Sequence, residues 1–170
     1  MFEIRFKVFE DKGLESHELK GANGYFEFQV ENETYGIYIP ENIDVFSVSI
    51  YWWFYYFLKA ILMLNETNYV LISDIEKSDV WIEIKKIDWE LIISKVRADK
   101  PVGSTALESR IMPNLKYEYW KDKKVNWTEF LNEILSKAKE YLCLVQSLND
   151  KSHTDLIALN VLIKQVEDSF

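Results

Sequence analysis

Seven consecutive aromatic side chains, Tyr51-Trp52-Trp53-Phe54-Tyr55-Tyr56-Phe57, sit inside a stretch from Val45 to Leu64 whose only charge is Lys59. A segment that apolar on every side must be enclosed, either by the rest of the protein or by lipid. As a helix it would reach about 30 Å at a rise of 1.5 Å per residue, close to the thickness of a bilayer core. Its Trp and Tyr side chains, however, crowd the first half and middle instead of forming a belt at each end, and Ser47 and Ser49 interrupt its start. The expectation is a buried central helix, capped by Asn42 or Asp44 and closed by Asn65, around which the other elements pack.

Those other elements follow from period. Phe2, Ile4, Phe6 and Val8 alternate with charged residues, which predicts a half-buried strand over residues 2–9. Tyr25 to Ile39 alternates about a turn at Glu31-Asn32-Glu33-Thr34, a hairpin that Pro40 ends by lacking an amide donor. Tyr69 to Ile72 is a short apolar run. Val80 to Lys85 alternates again, with Val80, Ile82 and Ile84 as the inward face, and Trp89, Leu91 and Ile93 continue the β pattern. Residues 99–113, with Pro101, Gly103 and Pro113, read as the longest loop, and Leu115 to Trp120 as a returning edge strand.

Two helices close the chain. Asn126 stands three residues before Glu129, a variant of the capping box, ahead of Phe130, Leu131, Ile134, Leu135, Ala138, Tyr141, Leu142 and Val145 at helical spacing. Thr154 can cap a last helix with Leu156, Ile157, Leu159, Val161, Ile163 and Val166 on or near one face. Strands interrupted by one helix and followed by two predict an α+β fold. An antiparallel sheet of about five to six strands would pack against the aromatic-rich helix and the two C-terminal helices. With 170 residues and no linker or repeat, residues 1–170 read as a single domain.

The chemistry of a catalyst is sparse. The two histidines, His17 and His153, lie in polar stretches and read as surface residues. Cys143, the single cysteine, excludes an intrachain disulfide, a Cys-based zinc site and a CxxC pair. Flanked by Leu142 and Leu144, it reads as a buried, quiet thiol. The start of the chain lacks the pattern of a secretory signal, so the expectation is a cytoplasmic protein. Dinucleotide, P-loop, zincin and hydrolase motifs are all missing, and no cofactor is implied.

Charge carries more information. Twenty-eight acidic side chains face twenty basic ones, a net charge of −8. Residues 1–79 hold 14 acidic and 6 basic groups while residues 80–170 hold 14 of each, so the whole excess falls in the first half. That balance opposes binding to a nucleic-acid backbone and favours a basic protein partner. Candidate contacts are the carboxylates Glu27, Glu31, Glu33, Glu41, Asp44, Asp74, Glu76 and Asp79, with Tyr35 and Tyr38 as exposed aromatics between them. Two other readings remain open. One is a carboxylate-based, metal-assisted enzyme in which Asp74, Glu76 or Asp79 converges with Glu83 or Glu90. The other is a self-associating structural subunit that buries the aromatic helix.

The run Phe2-Glu3-Ile4-Arg5-Phe6-Lys7-Val8, the hairpin from Gly24 to Pro40 and the strand Val80-Trp81-Ile82-Glu83-Ile84, in a small acidic chain, resemble the bacterial immunity proteins of polymorphic toxin systems. The resemblance implies a cytoplasmic antidote that binds one toxin domain, often a basic nuclease, and blocks its active site. Such proteins diverge in their contact residues, so it assigns no position in this sequence.

Overall fold

The aromatic segment is a helix, but its ends are set by backbone chemistry and not by the limits of the apolar run. In the computed structural model, which describes residues 1–9, 17–41, 43 and 46–170, helix α1 spans Ile50–Thr67. Its cap is Ser49, whose hydroxyl accepts from the Trp52 amide at 3.4 Å. Asn42 and Asp44, the expected caps, lie outside the described residues. The helix also runs past Asn65, because Asn68 is the residue that turns left-handed (φ 55°) and donates its amide to the Leu64 carbonyl.

The fold is α+β with two antiparallel sheets, where the sequence pattern suggested one. The first contains β1 (Phe2–Val8), β2 (Asn23–Val30), β3 (Glu33–Ile37) and the short β4 (Val48–Ser49), with β2 pairing all three others. The turn between β2 and β3 is Glu31-Asn32, with Glu31 left-handed at φ 52°, so β3 begins two residues earlier than the alternation suggested. The second sheet has the order β8-β5-β6-β7-β9, from β5 (Tyr69–Ser73), β6 (Val80–Ile87), β7 (Glu90–Arg97), β8 (Leu107–Glu108) and β9 (Lys123–Asn126). Helix α1 separates the two in the chain, and eighteen helical residues carry the backbone about 27 Å from β4. The next strand therefore starts a new sheet.

Helices α2 (Trp127–Leu148) and α3 (Thr154–Asp168) complete the structure. Asn126 caps α2 as its position implies, accepting from the amides of Thr128 and Glu129. The cap of α3 is His153, one residue before the expected Thr154, through a ring nitrogen that accepts from the Asp155 amide. Helix α1 packs against β2, β5, α2 and α3, which is why it has almost no polar side. No helix among the described residues is long and apolar enough to cross a membrane.

One continuous core runs through both sheets and all three helices, with the rings of Phe2, Phe26, Phe28, Phe54, Phe57 and Phe130 in edge-to-face and tilted contact at its centre. The outer edge of β1 is closed by a helix. Its Phe2 and Ile4 amides donate to Glu129 Oε1 (2.9 Å) and Glu133 Oε1 (2.8 Å), one turn apart on α2. A helical i, i+4 step of about 6 Å matches the roughly 6.8 Å between alternate strand residues, so two carboxylates serve two amides.

The second sheet is buried on both faces. Val80, Ile82 and Ile84 point into the main core as expected, but Trp81 and Glu83, on the opposite face, are buried as well. Residues of the 99–115 region fold over that face and form a second small core of Tyr69, Leu71, Trp81, Val96, Ala98 and Met112 with Leu115. Strand β8, inside the stretch read as loop, joins β5 there. Residues 115–120 run beside β7 but pair only through the Arg97–Lys116 bridge and the Lys95 amide to the Trp120 carbonyl; the edge strand proper is β9. Left-handed residues at Asn114 and Asp122 bracket this segment and break its register.

Candidate functional site

Where β3 of the first sheet faces the second sheet, a cleft of about 340 Å³ opens. Phe26, Val48 and Trp53 form its apolar side, the Phe26 and Trp53 rings stacked at 5.6 Å and nearly parallel. Across it stand Asp74, Glu76 and Lys77 from the β5–β6 turn and Lys95 from β7. Thr34, Tyr35, Gly36 and Ile37 of β3 run along one wall, and Phe46 from the β3–β4 connection sits at the mouth. Gly36 is required there, since its φ is +98° and a Cβ would lie 2.2 Å from the Phe26 carbonyl oxygen.

The cleft is tied together by polar contacts between the two sheets. Tyr35, expected to be exposed, is only 7% accessible: β3 turns its ring inward against Phe28 and Trp53, and its hydroxyl donates to Asp74 Oδ2. Asp74 Oδ1 accepts from the amides of Glu76 (2.6 Å) and Lys77 (2.9 Å), which fixes the turn. Lys95 Nζ lies 4.9 Å from the Tyr35 ring centroid and 4.1 Å from that of Tyr119. Burial holds the Lys95 ammonium below the usual lysine range, with Lys77 adding to the effect and Asp74 opposing it.

Most of the expected acidic contacts are engaged within the molecule. Glu27 pairs with Arg5, which also lies 5.1 Å from the ring centroid of half-buried Tyr38. Glu27 holds the Arg5 guanidinium above its ordinary range through their hydrogen bond. Glu31 accepts from the Lys124 amide, and Glu33 lies 3.3 Å from Lys123 Nζ, so these two carboxylates join the β2–β3 hairpin to β9. Asp79 pairs with Arg97 Nε at 2.9 Å. Glu41 is exposed, its backbone carbonyl accepting from Lys7 Nζ, and Asp44 lies outside the described residues. The structure thus brings Tyr35, Asp74 and Glu76 together and distributes the rest. Of the eight carboxylates, Glu41 and Glu76 are the described ones with no hydrogen bond or ion pair to their side chains.

The carboxylates of residues 74–90 do not converge either. Glu83 is buried on the outer face of the second sheet, accepting from the hydroxyls of Tyr69 and Tyr117 and pairing with Lys85 at 3.0 Å, while Glu90 pairs with Lys124. Among the described residues no three His, Cys, Asp or Glu side chains gather into a metal-binding group.

Of the twelve residues that line the cleft, only Tyr35, Asp74 and Glu76 were among the candidate contacts; those missed include Ile37, Phe46, Lys77 and Lys95. A signal existed for the last. Lys95 extends the inward series Leu91 and Ile93 by one more step of two, which places a lysine on an apolar face. Cys143 is a second correction: it is exposed, because it lies on the side of α2 away from Tyr141, Leu142 and Val145. No protein-family model matches the chain, and neither a curated protein nor a solved structure matches it.

Proposed function

We propose that this chain is a protein-binding domain that acts as a cytoplasmic immunity protein, neutralising a basic toxin domain, and that its contact surface is the mouth of the cleft. The observation that supports this reading is the pair Ile37 and Phe46. They are 38% and 49% accessible and both line the cleft, and Ile43, between them in the chain, is 45% accessible. Large apolar side chains exposed to water around one cleft are characteristic of recognition surfaces. Glu76, which lines the same cleft and has no side-chain partner among the described residues, supplies a carboxylate at its edge that attracts Lys or Arg of the partner. The apolar centre gives the desolvated contact and the charged edge gives rate and orientation.

The test is coexpression with a toxin domain encoded beside the gene. The wild-type chain rescues growth and forms a complex with that domain. Ile37→Asp with Phe46→Asp abolishes both while leaving circular dichroism and thermal unfolding unchanged, since both side chains lie at the surface. Rescue undiminished in the double variant refutes the placement, and a wild-type chain that neither binds nor protects refutes the function.

A further inference from the structure

Independently of any protein partner, the interior of the same cleft has the features of a ligand site. We propose that it binds a small amphipathic organic acid, an aromatic or branched aliphatic monocarboxylate, with the carboxylate between Lys77 and Lys95 and the apolar body against Phe26, Val48 and Trp53.

The size of the site points to a small molecule. Its volume of about 340 Å³ falls at the lower end of the range of pockets that hold small ligands, which runs from about 300 to 1,000 Å³. One wall is apolar and aromatic, and the polar groups are few and confined to the opposite side, as in sites that bind the body of a ligand and orient its head.

The charge of the head follows from the two lysines. Among the described residues neither Lys77 nor Lys95 has a carboxylate within ion-pair distance, although they come from different elements and line one space. Lys95 is the more telling. Its ammonium has ring faces as neighbours and, among the described residues, no oxygen acceptor, and burial together with Lys77 disfavours its charge. An ammonium so placed gains from any anion that enters the cleft, because a charge-assisted hydrogen bond forms away from bulk water. Asp74 favours the Lys95 charge through space but makes no ion pair with it, its oxygens being turned to the Tyr35 hydroxyl and two turn amides.

The same carboxylates limit the ligand's charge. Asp74 and Glu76 balance Lys77 and Lys95, so the four groups are neutral together. A single negative charge can sit beside the lysines, whereas a dianion such as a phosphate monoester meets two carboxylates at short range. A neutral molecule leaves Lys95 as poorly solvated as before.

Titration of the 170-residue chain with indole-3-acetate, followed by proton–nitrogen correlation spectra, tests this directly. Saturable shifts are expected at the amides of Thr34, Ile37, Lys77 and Lys95, with a Kd near or below about 1 mM. Indole-3-acetamide, the neutral isostere, and phenyl phosphate should each bind at least about tenfold more weakly. Lys95→Gln and, separately, Lys77→Gln should reduce affinity for indole-3-acetate, whereas Lys164→Gln on α3 should not. Lys77 lies in an exposed turn, so that variant reads binding without endangering the fold. Absence of saturable shifts in the wild type overturns the proposal. So does equal binding of the amide, or affinity untouched by Lys77→Gln. Loss of toxin protection in the Ile37 and Phe46 variant with acid binding intact, or the reverse, separates this site from the protein surface at its mouth.

Discussion

Tyr35→Phe isolates the contact that holds the two sheets together at the cleft. The substitution keeps the ring, with its neighbours Phe28 at 5.3 Å and Trp53 at 5.7 Å, and removes only the hydroxyl that donates to Asp74. A hydrogen bond to a charged acceptor contributes about 1.5–3 kcal/mol. Asp74 keeps its two amide donors and is half-buried, so water can replace the lost donor in part and the lower end of that range applies. The expected loss is about 1.5 kcal/mol, which for a chain of this length lowers Tm by roughly 3–6 °C. Urea unfolding with an unchanged m-value measures it, and a double-mutant cycle with Asp74→Ala isolates the pairwise part. In the Asp74→Ala background Tyr35→Phe should cost almost nothing. A loss below about 0.5 kcal/mol in the wild type, or one that persists without Asp74, refutes the role given to this bond.

Three further outcomes follow from other parts of the fold. Glu133→Ala leaves the Ile4 amide without its acceptor at the β1 edge and should cost about 1–2 kcal/mol by urea unfolding, whereas Glu133→Gln, which keeps an acceptor oxygen, should cost less. Cys143 is exposed on α2 and should react with a maleimide in the native protein as fast as in urea; protection that disappears only on unfolding would restore the buried reading. Burial, and secondarily Glu83, raises the Tyr69 phenol well above the ordinary tyrosine value of 10.0, and burial does the same to Tyr51. The unfolded chain then releases these protons first, so stability falls as pH rises above about 10. Phenolate absorbance from these two residues should appear together with unfolding, and its appearance in the folded protein would contradict their placement.

The sequence was most readable where local rules act alone. The alternation of Phe2, Ile4 and Phe6, the capping by Asn126 and the helical stripe of α2 each follow from neighbours within a few residues, and all three are present. Ends of elements were harder, because α1 stops where Asn68 can turn left-handed and not where the apolar run ends. Misreadings came from treating local apolarity as burial: Cys143 between two leucines faces away from the core, and Trp81 and Glu83 are buried because a distant loop covers the outer face of β6. Long-range pairing was invisible. The acidic excess of the first half looked like a surface field, yet Glu31 and Glu33 meet Lys124 and Lys123, 93 and 90 residues away, and Asp74 meets the hydroxyl of Tyr35. The cleft arises between two sheets whose separation depends on α1, so its residues share no motif. Lys95 alone carried a hint, as a charge in phase with Leu91 and Ile93.

Amide hydrogen exchange of the 170-residue chain, alone and bound to the proposed toxin partner, measures the recognition surface most directly. The account predicts that protection on binding concentrates on residues 34–37, 46–48 and 74–77, at the mouth of the cleft. Protection confined to α2 and α3, or to the outer face of β1 and β2 around Arg5 and Glu27, would contradict it.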